Sequence, residues 1–214
     1  VVRKGSLRHL VRTTTAGQVF TVLDEQNNRL ADACIWLGGR EDKAVDSGEI
    51  VVPFTSTPGR QKIVVSHGEF NWLDDFEHQA ENYSLSAGMY VDRESLLQRT
   101  KAEVIVRPQL YLNGIPVTLS VLEDVTLVIT SQDRDGVATT KEVADFELFE
   151  DRESRYEFQV PPRLASIAFQ LKTRVQNLSQ NKKLDLSASE SFSLNAIDTT
   201  DKIEDLHLTE VDGV

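Results

Sequence analysis

Apolar residues alternate with polar ones along much of this chain, most cleanly between Arg107 and Val143. Val117, Leu119 and Val121 alternate with Thr118 and Ser120, and Val125, Leu127 and Ile129 fall in step with Thr126 and Thr130. A two-residue period is what a strand with one buried face requires. Asn113-Gly114 precedes this stretch and Asp133-Arg134-Asp135-Gly136 follows it. Both are turns rich in residues that accept positive φ, which tight hairpins demand.

The same rhythm predicts strands at 18–23, 33–37, 50–53, 61–66 and 83–91, with residues 1–16 as a lead-in strand. Asp24 to Asn28 reads as a polar turn, Gly38-Gly39 as a strand stop, and the acidic stretch that follows as a loop reaching Asp46-Ser47-Gly48. Residues 72–80 read as a helical turn or a loop. In the second half, strands are expected at 104–106 (with 95–99 running into it), 146–148, 156–160, 167–171 and 184–194. Pro161-Pro162 ends one of them, because proline cannot donate to a ladder. Strands at this spacing with turn chemistry between them predict an all-β chain of two antiparallel β-sandwich modules in tandem, immunoglobulin-like or transthyretin-like. The expected division is 1–100 and 101–198, with 199–214 a tail whose strand at 206–211 leads into a further module.

Two motif groups bear a family likeness. Val22-Leu23-Asp24, Leu30-Ala31-Asp32-Ala33, Asp46-Ser47-Gly48-Glu49-Ile50 and residues 59–65 resemble the carboxypeptidase regulatory-like, transthyretin-type β-sandwich. A second sandwich after it, with the phrase Arg107-Pro108-Gln109-Leu110-Tyr111-Leu112-Asn113-Gly114, is similar to the tandem modules of bacterial α-2-macroglobulin-like proteins. The thioester motif of that family, Cys-Gly-Glu-Gln, is absent. The resemblance implies a non-catalytic structural or protein-interaction segment of a larger exported protein, periplasmic, cell-surface or secreted. Its expected partners are neighbouring modules of the same polypeptide and another protein. The opening Val1-Val2 without an initiator Met fits a piece of a longer polypeptide.

Composition narrows the partners. The net charge of −11 argues against nucleic acid, which needs clustered Lys and Arg, and against an anionic membrane surface. No run approaches the length of apolar chain that a spanning helix needs, so no membrane insertion is expected of this segment. The single cysteine, Cys34, excludes an internal disulfide framework and a cysteine-based zinc site.

Candidate chemistry is sparse. Ser131-x-Asp133-x-Asp135-Gly136-x5-Glu142 has the spacing of a calcium loop, with Asp133, Asp135 and Glu142 as its oxygen donors. An EF-hand needs helices on both sides, whereas strands flank this loop, so solvated carboxylates on a hairpin are the alternative. A calcium- or carbohydrate-binding β-module is accordingly the second functional reading; no other cofactor is expected. His78 and Glu81 stand three apart, a spacing that helical metal sites use, but no second pair supports them. Asn82-Tyr83-Ser84 and Asn177-Leu178-Ser179 fit the N-glycosylation pattern. No HExxH, phosphate loop or nucleophile elbow occurs, and no enzyme is expected.

One further expectation concerns the first module. If Ala33, Ile35 and Leu37 face its core, Cys34 and Trp36 point the other way, and Val51 and Val64 fall on the corresponding faces of their strands. An exposed antiparallel face should be polar. Trp36, Cys34, Val51 and Val64 are therefore expected to be covered by a neighbouring module or a partner.

Overall fold

The computed structural model describes residues 5–97 and 100–194. Among the described residues the chain is all-β but for one short α-helix, α1 (Arg93–Leu97), and one 3-10 turn. Its contacts divide into two units. Unit 1 comprises the described residues up to Ser84 with Leu110–Thr118 and Val175–Leu184; unit 2 comprises Leu85–Gln109, Leu119–Arg174 and the described residues from Asp185 onward. This differs from the single cut near residue 100 that the sequence suggests. The ends of two hairpins, 110–118 and 175–184, belong to unit 1 although the strands that carry them begin or end in unit 2.

Unit 1 holds seven strands before Ser84: β1 (Arg8–Thr14), β2 (Gly17–Leu23), β3 (Cys34–Leu37), β4 (Arg40–Lys43), β5 (Ile50–Val52), β6 (Gly59–His67) and β7 (Phe70–His78). They form two antiparallel sheets, ordered β1-β2-β5 and β4-β3-β6-β7. Phe20, Val22, Ile50 and Val52 of the first sheet meet Ile35, Ile63, Val65 and Phe76 of the second in one buried cluster. Each set comes from alternate positions of its strand, which is why the pattern is readable at all. The turn after β2 is fixed by Asp24, whose Oδ1 accepts from the backbone N–H of Gln26 and of Asn28 at 2.9 and 2.7 Å.

Unit 2 is built around β8 (Tyr83–Val91), β9 (Lys101–Leu112), β11 (Leu122–Asp133), β12 (Ala138–Ala144), β13 (Ser154–Gln159), β14 (Leu164–Asn177) and β15 (Lys182–Ser193); the short β10 (Ile115–Val117), which pairs with the end of β9, belongs to unit 1. One sheet runs β10-β9-β13 with β8 also on β9, the other β12-β11-β14-β15. Its core joins Met89, Val104 and Phe158 to Leu127, Ile167, Phe169 and Leu171. The ring of Phe169 stands edge-on to Phe158 and Phe192, with centroids 5.5 and 5.9 Å away.

Five sequence expectations change. Residues 70–78 form β7 rather than a helical turn or loop, and part of the acidic loop after Gly38-Gly39 is the edge strand β4. Residues 119–121 make one 3-10 turn, where the Leu119 N–H donates to Glu150 Oε1 at 2.8 Å. Residues 146–148 are not a strand, and 93–97 form α1 instead of leading into β9. The strand expected at 206–211 lies outside the described residues.

Candidate functional site

The β4-β3-β6-β7 sheet of unit 1 turns Ile35, Ile63, Val65 and Phe76 inward, so the intervening residues form its outward face. Cross-strand register aligns that face in rows. Glu41 pairs with Trp36, Trp36 with Val64, and Val64 with Leu73. The middle of the face is therefore an apolar row of Trp36, Val64 and Leu73, with Trp36 42% and Leu73 63% exposed. On one side lies the row Lys43, Cys34, Ser66, Asn71. On the other lie Lys62 opposite Asp75 and Arg60 opposite Glu77. An Arg60 guanidinium nitrogen sits 2.8 Å from Asp75 Oδ1, which holds the Asp75 carboxyl below its usual range.

Beside Trp36 the sheet carries an open hollow of about 370 Å³, lined by Ala31, Ala33, Cys34, Glu41, Lys43 and Ser66 among others. Partial burial pushes the Cys34 thiol pKa up, and the hydrogen bond and charge of Glu41 push it further, against smaller contributions from Ser66 and Trp36. A thiol held protonated is a poor nucleophile and a poor metal ligand. Of the four residues expected on this surface, the structure brings Trp36, Cys34 and Val64 onto one face. Val51 is on β5, in the other sheet. Leu73 completes the row, and the sequence reading missed it because β7 was not recognised as a strand.

The calcium candidates are not brought together. Asp133 closes the β11–β12 turn, its Oδ1 accepting from the N–H groups of Asp135 and Val137 at 2.9 Å each. Asp135 is paired with Arg163 at 2.8 Å. Glu142 stands opposite Val128, four cross-strand pairs beyond the Gln132–Ala138 pair that borders the turn. Among the described residues no group of three or more His, Cys, Asp or Glu side chains could hold a metal ion. His78 and Glu81 do not share a helix either; the His78 ring nitrogen Nε2 is 2.8 Å from the Pro53 carbonyl oxygen.

A polar cluster inside unit 1 was not legible as such. Glu81 is 1% exposed, with Oε2 accepting from the Ser179 N–H at 2.8 Å and Oε1 without a hydrogen-bond partner. Asn177, fully buried, donates from Nδ2 to the Glu81 carbonyl oxygen at 2.8 Å. Its Oδ1 accepts from Ser179 Oγ and the Gln180 N–H. Burial, then the Glu81 carboxylate, pushes the neighbouring Tyr83 phenol up to about 12. On the far side of the same connector, Asn113 donates to the Ala80 carbonyl at 2.9 Å. In sequence, Asn177-Leu178-Ser179 carries only the glycosylation pattern, which this burial occupies.

Comparison with known proteins follows from this framework. Residues 92–200 match the family described as the AbpF third immunoglobulin-like domain. The chain is 33% identical over 216 aligned residues, 97% of its length, to the protein of Dictyostelium discoideum named Actin-binding protein F, and spans 9% of that protein. A solved structure of three N-terminal domains of the bacteriophage RB49 highly immunogenic outer capsid protein (Hoc) aligns with 87% of this chain and 68% of that one, at 12% identity. Its TM-score of 0.29 is too low to carry an argument. These matches overturn the macroglobulin-like and carboxypeptidase regulatory-like resemblance, since the relative aligns across both units. The motifs behind that resemblance were turn-and-strand phrases common to many β-sandwiches. The reason for expecting an exported protein goes with it.

Proposed function

The chain belongs to the family of the AbpF third immunoglobulin-like domain, and from that premise we propose that it is a non-catalytic, protein-binding segment working in an actin-filament assembly. The observation that carries this reading is the outward apolar row of Trp36, Val64 and Leu73 on the unit 1 sheet. Solvated faces of antiparallel sheets are normally polar, and contiguous apolar rows rimmed by charge mark protein-docking surfaces. The name of the Dictyostelium relative supports a filament as the setting. Among the described residues the two chemical candidates are not arranged for reaction: the Cys34 thiol is held protonated, and the carboxylates of the β11–β12 hairpin are spread along it.

Co-sedimentation with filamentous actin tests the proposal. The 214-residue chain is expected to pellet with filaments, and Leu73→Asp to weaken that pelleting by roughly tenfold, as truncation or charging of a central anchor does. Pelleting that ignores Leu73→Asp, or no pelleting of the unsubstituted chain, would overturn it.

A further inference from the structure

We propose that the surface seated on this face is a second copy of the same chain, giving a weak, symmetric dimer through unit 1. The inference rests on the reading of the Trp36–Val64–Leu73 row as a docking face and names its occupant.

The argument is one of register and charge. On the outward face, β6 presents Arg60, Lys62 and Val64, while β7 presents Glu77, Asp75 and Leu73 in the same three rows. One strand is basic where its neighbour is acidic. Consider a twofold axis parallel to the strands and lying over the gap between β6 and β7. Such an axis exchanges the two strands and keeps each row in place. It sets Arg60 over the mate's Glu77, Lys62 over the mate's Asp75, and Val64 over the mate's Leu73. Trp36, one strand further out in the apolar row, then lies beside the mate's Leu73. A patch that matches itself under a twofold is what an isologous dimer requires.

Within one chain Lys62 stands opposite Asp75 and Glu77 opposite Arg60, and Arg60 is paired with Asp75, so the mate adds a second opposite charge to each group. The free edge of the sheet favours face over edge pairing. β7 carries Asp74, Asp75 and Glu77, and two such acidic edges would repel each other. The available area sets the strength. This axis overlays only β6 and β7 on their mates, and two nine-residue strands at ~3.4 Å rise and ~4.8 Å spacing give about 300 Å² of flat sheet per copy, which makes the contact weak and transient. With the mate seated on this face, the filament contact lies elsewhere on each chain, and the dimer carries two of them, so Leu73→Asp weakens pelleting through lost avidity.

Sedimentation velocity of the full 214-residue chain over a wide concentration series tests this, with a reciprocal charge swap. The unsubstituted chain should pass from monomer to dimer with rising concentration, and less so at high salt. Lys62→Glu sets two acids against each other across the axis and Asp75→Lys two bases, so each alone should weaken the dimer by roughly tenfold. An equimolar mixture of the two variants restores both contacts and should recover the dimer. Melting curves confirm that each variant is folded; if either is not, Leu73→Asp replaces it and should leave a monomer. A dimer insensitive to these changes, or one not recovered on mixing, overturns the proposal. A chain that stays monomeric throughout also overturns it: if Leu73→Asp still reduces filament pelleting, the docking face stands with another occupant, and if it does not, the docking face falls too.

Discussion

Replacing Asn177 by alanine should destabilise unit 1 far more than its place near a hairpin turn suggests. The side chain is fully buried and makes three hydrogen bonds: Nδ2 to the Glu81 carbonyl at 2.8 Å, and Oδ1 from Ser179 Oγ at 2.9 Å and the Gln180 N–H at 2.8 Å. Alanine removes all three. The Ser179 hydroxyl can rotate, and Gln180 is exposed enough for its N–H to meet water. The Glu81 carbonyl has no such relief, because Glu81 is 1% exposed and its own Oε1 is already unpartnered. An orphaned buried carbonyl costs about 1–3 kcal/mol, and losing the turn bonds adds about 1 kcal/mol. The sum, about 2–4 kcal/mol, lowers the folding equilibrium constant by a factor between roughly 30 and 1,000. Tryptophan emission during urea unfolding reads it cleanly: Trp36 and Trp72 are the chain's only tryptophans, and both lie in unit 1. With a slope of about 1–2 kcal/mol per molar urea, the midpoint should fall by about 1–4 M. Asn177→Asp should be at least as costly, since it points an acceptor at the Glu81 carbonyl. A midpoint for Asn177→Ala within the error of the unsubstituted chain would refute the reasoning.

Three further outcomes follow from the geometry. Tyr83, its phenol raised to about 12 by burial and then by Glu81, is expected to titrate by absorbance above the ordinary tyrosine range. Because its folded value lies above its unfolded one, its contribution to stability is intact below about pH 10 and lost as pH rises from about 10 towards 12. Glu81→Gln should bring the titration part of the way down, leaving the effect of burial, and an unchanged titration would exclude the carboxylate as a cause. Gly17→Ala should cost about 2–4 kcal/mol in the same urea assay, because strained or clashing backbone has nowhere to relax. The added Cβ would meet the Val52 carbonyl oxygen at 2.4 Å from a φ of +135°. Millimolar calcium should leave the melting temperature unchanged, since Asp135 is engaged by Arg163 and Glu142 lies well along β12. A saturable rise that Asp133→Ala abolishes would contradict that separation.

How much of this was legible in the sequence depended on whether one face of each strand is wet. In β3 and β6 the inward residues Ile35, Ile63 and Val65 are buried and alternate with Trp36 and Val64, so the period located both the strands and the unusual outward row. β7 escaped notice because it breaks the pattern in both directions. Leu73 points outward, while Asp74 points inward, its Oδ2 3.2 Å from His9 Nδ1. β4 consists of Arg40, Glu41, Asp42 and Lys43, and only its pairing with β3 makes it a strand. The opposite error occurred at Val117, Leu119 and Val121, where genuine alternation is spent on a strand end and a single 3-10 turn. The Asn177–Glu81 cluster joins residues that are 96 positions apart, which no local pattern encodes. The calcium spacing is laid out by the same logic: twelve residues that a helix–loop–helix would wrap around an ion are here drawn out along two paired strands.

Hydroxyl-radical footprinting of the chain, free and with its bound partner, tests the central claim most directly, because it reads side chains one by one. Trp36 and Leu73 are exposed, and so are Tyr90, Val137 and Leu178, none of them on the β4-β3-β6-β7 sheet, which serve as internal references. The account predicts that oxidation of Trp36 and Leu73 falls on binding while the references keep their free-state rates. Protection of Tyr90, Val137 or Leu178 with Trp36 and Leu73 unchanged would contradict it.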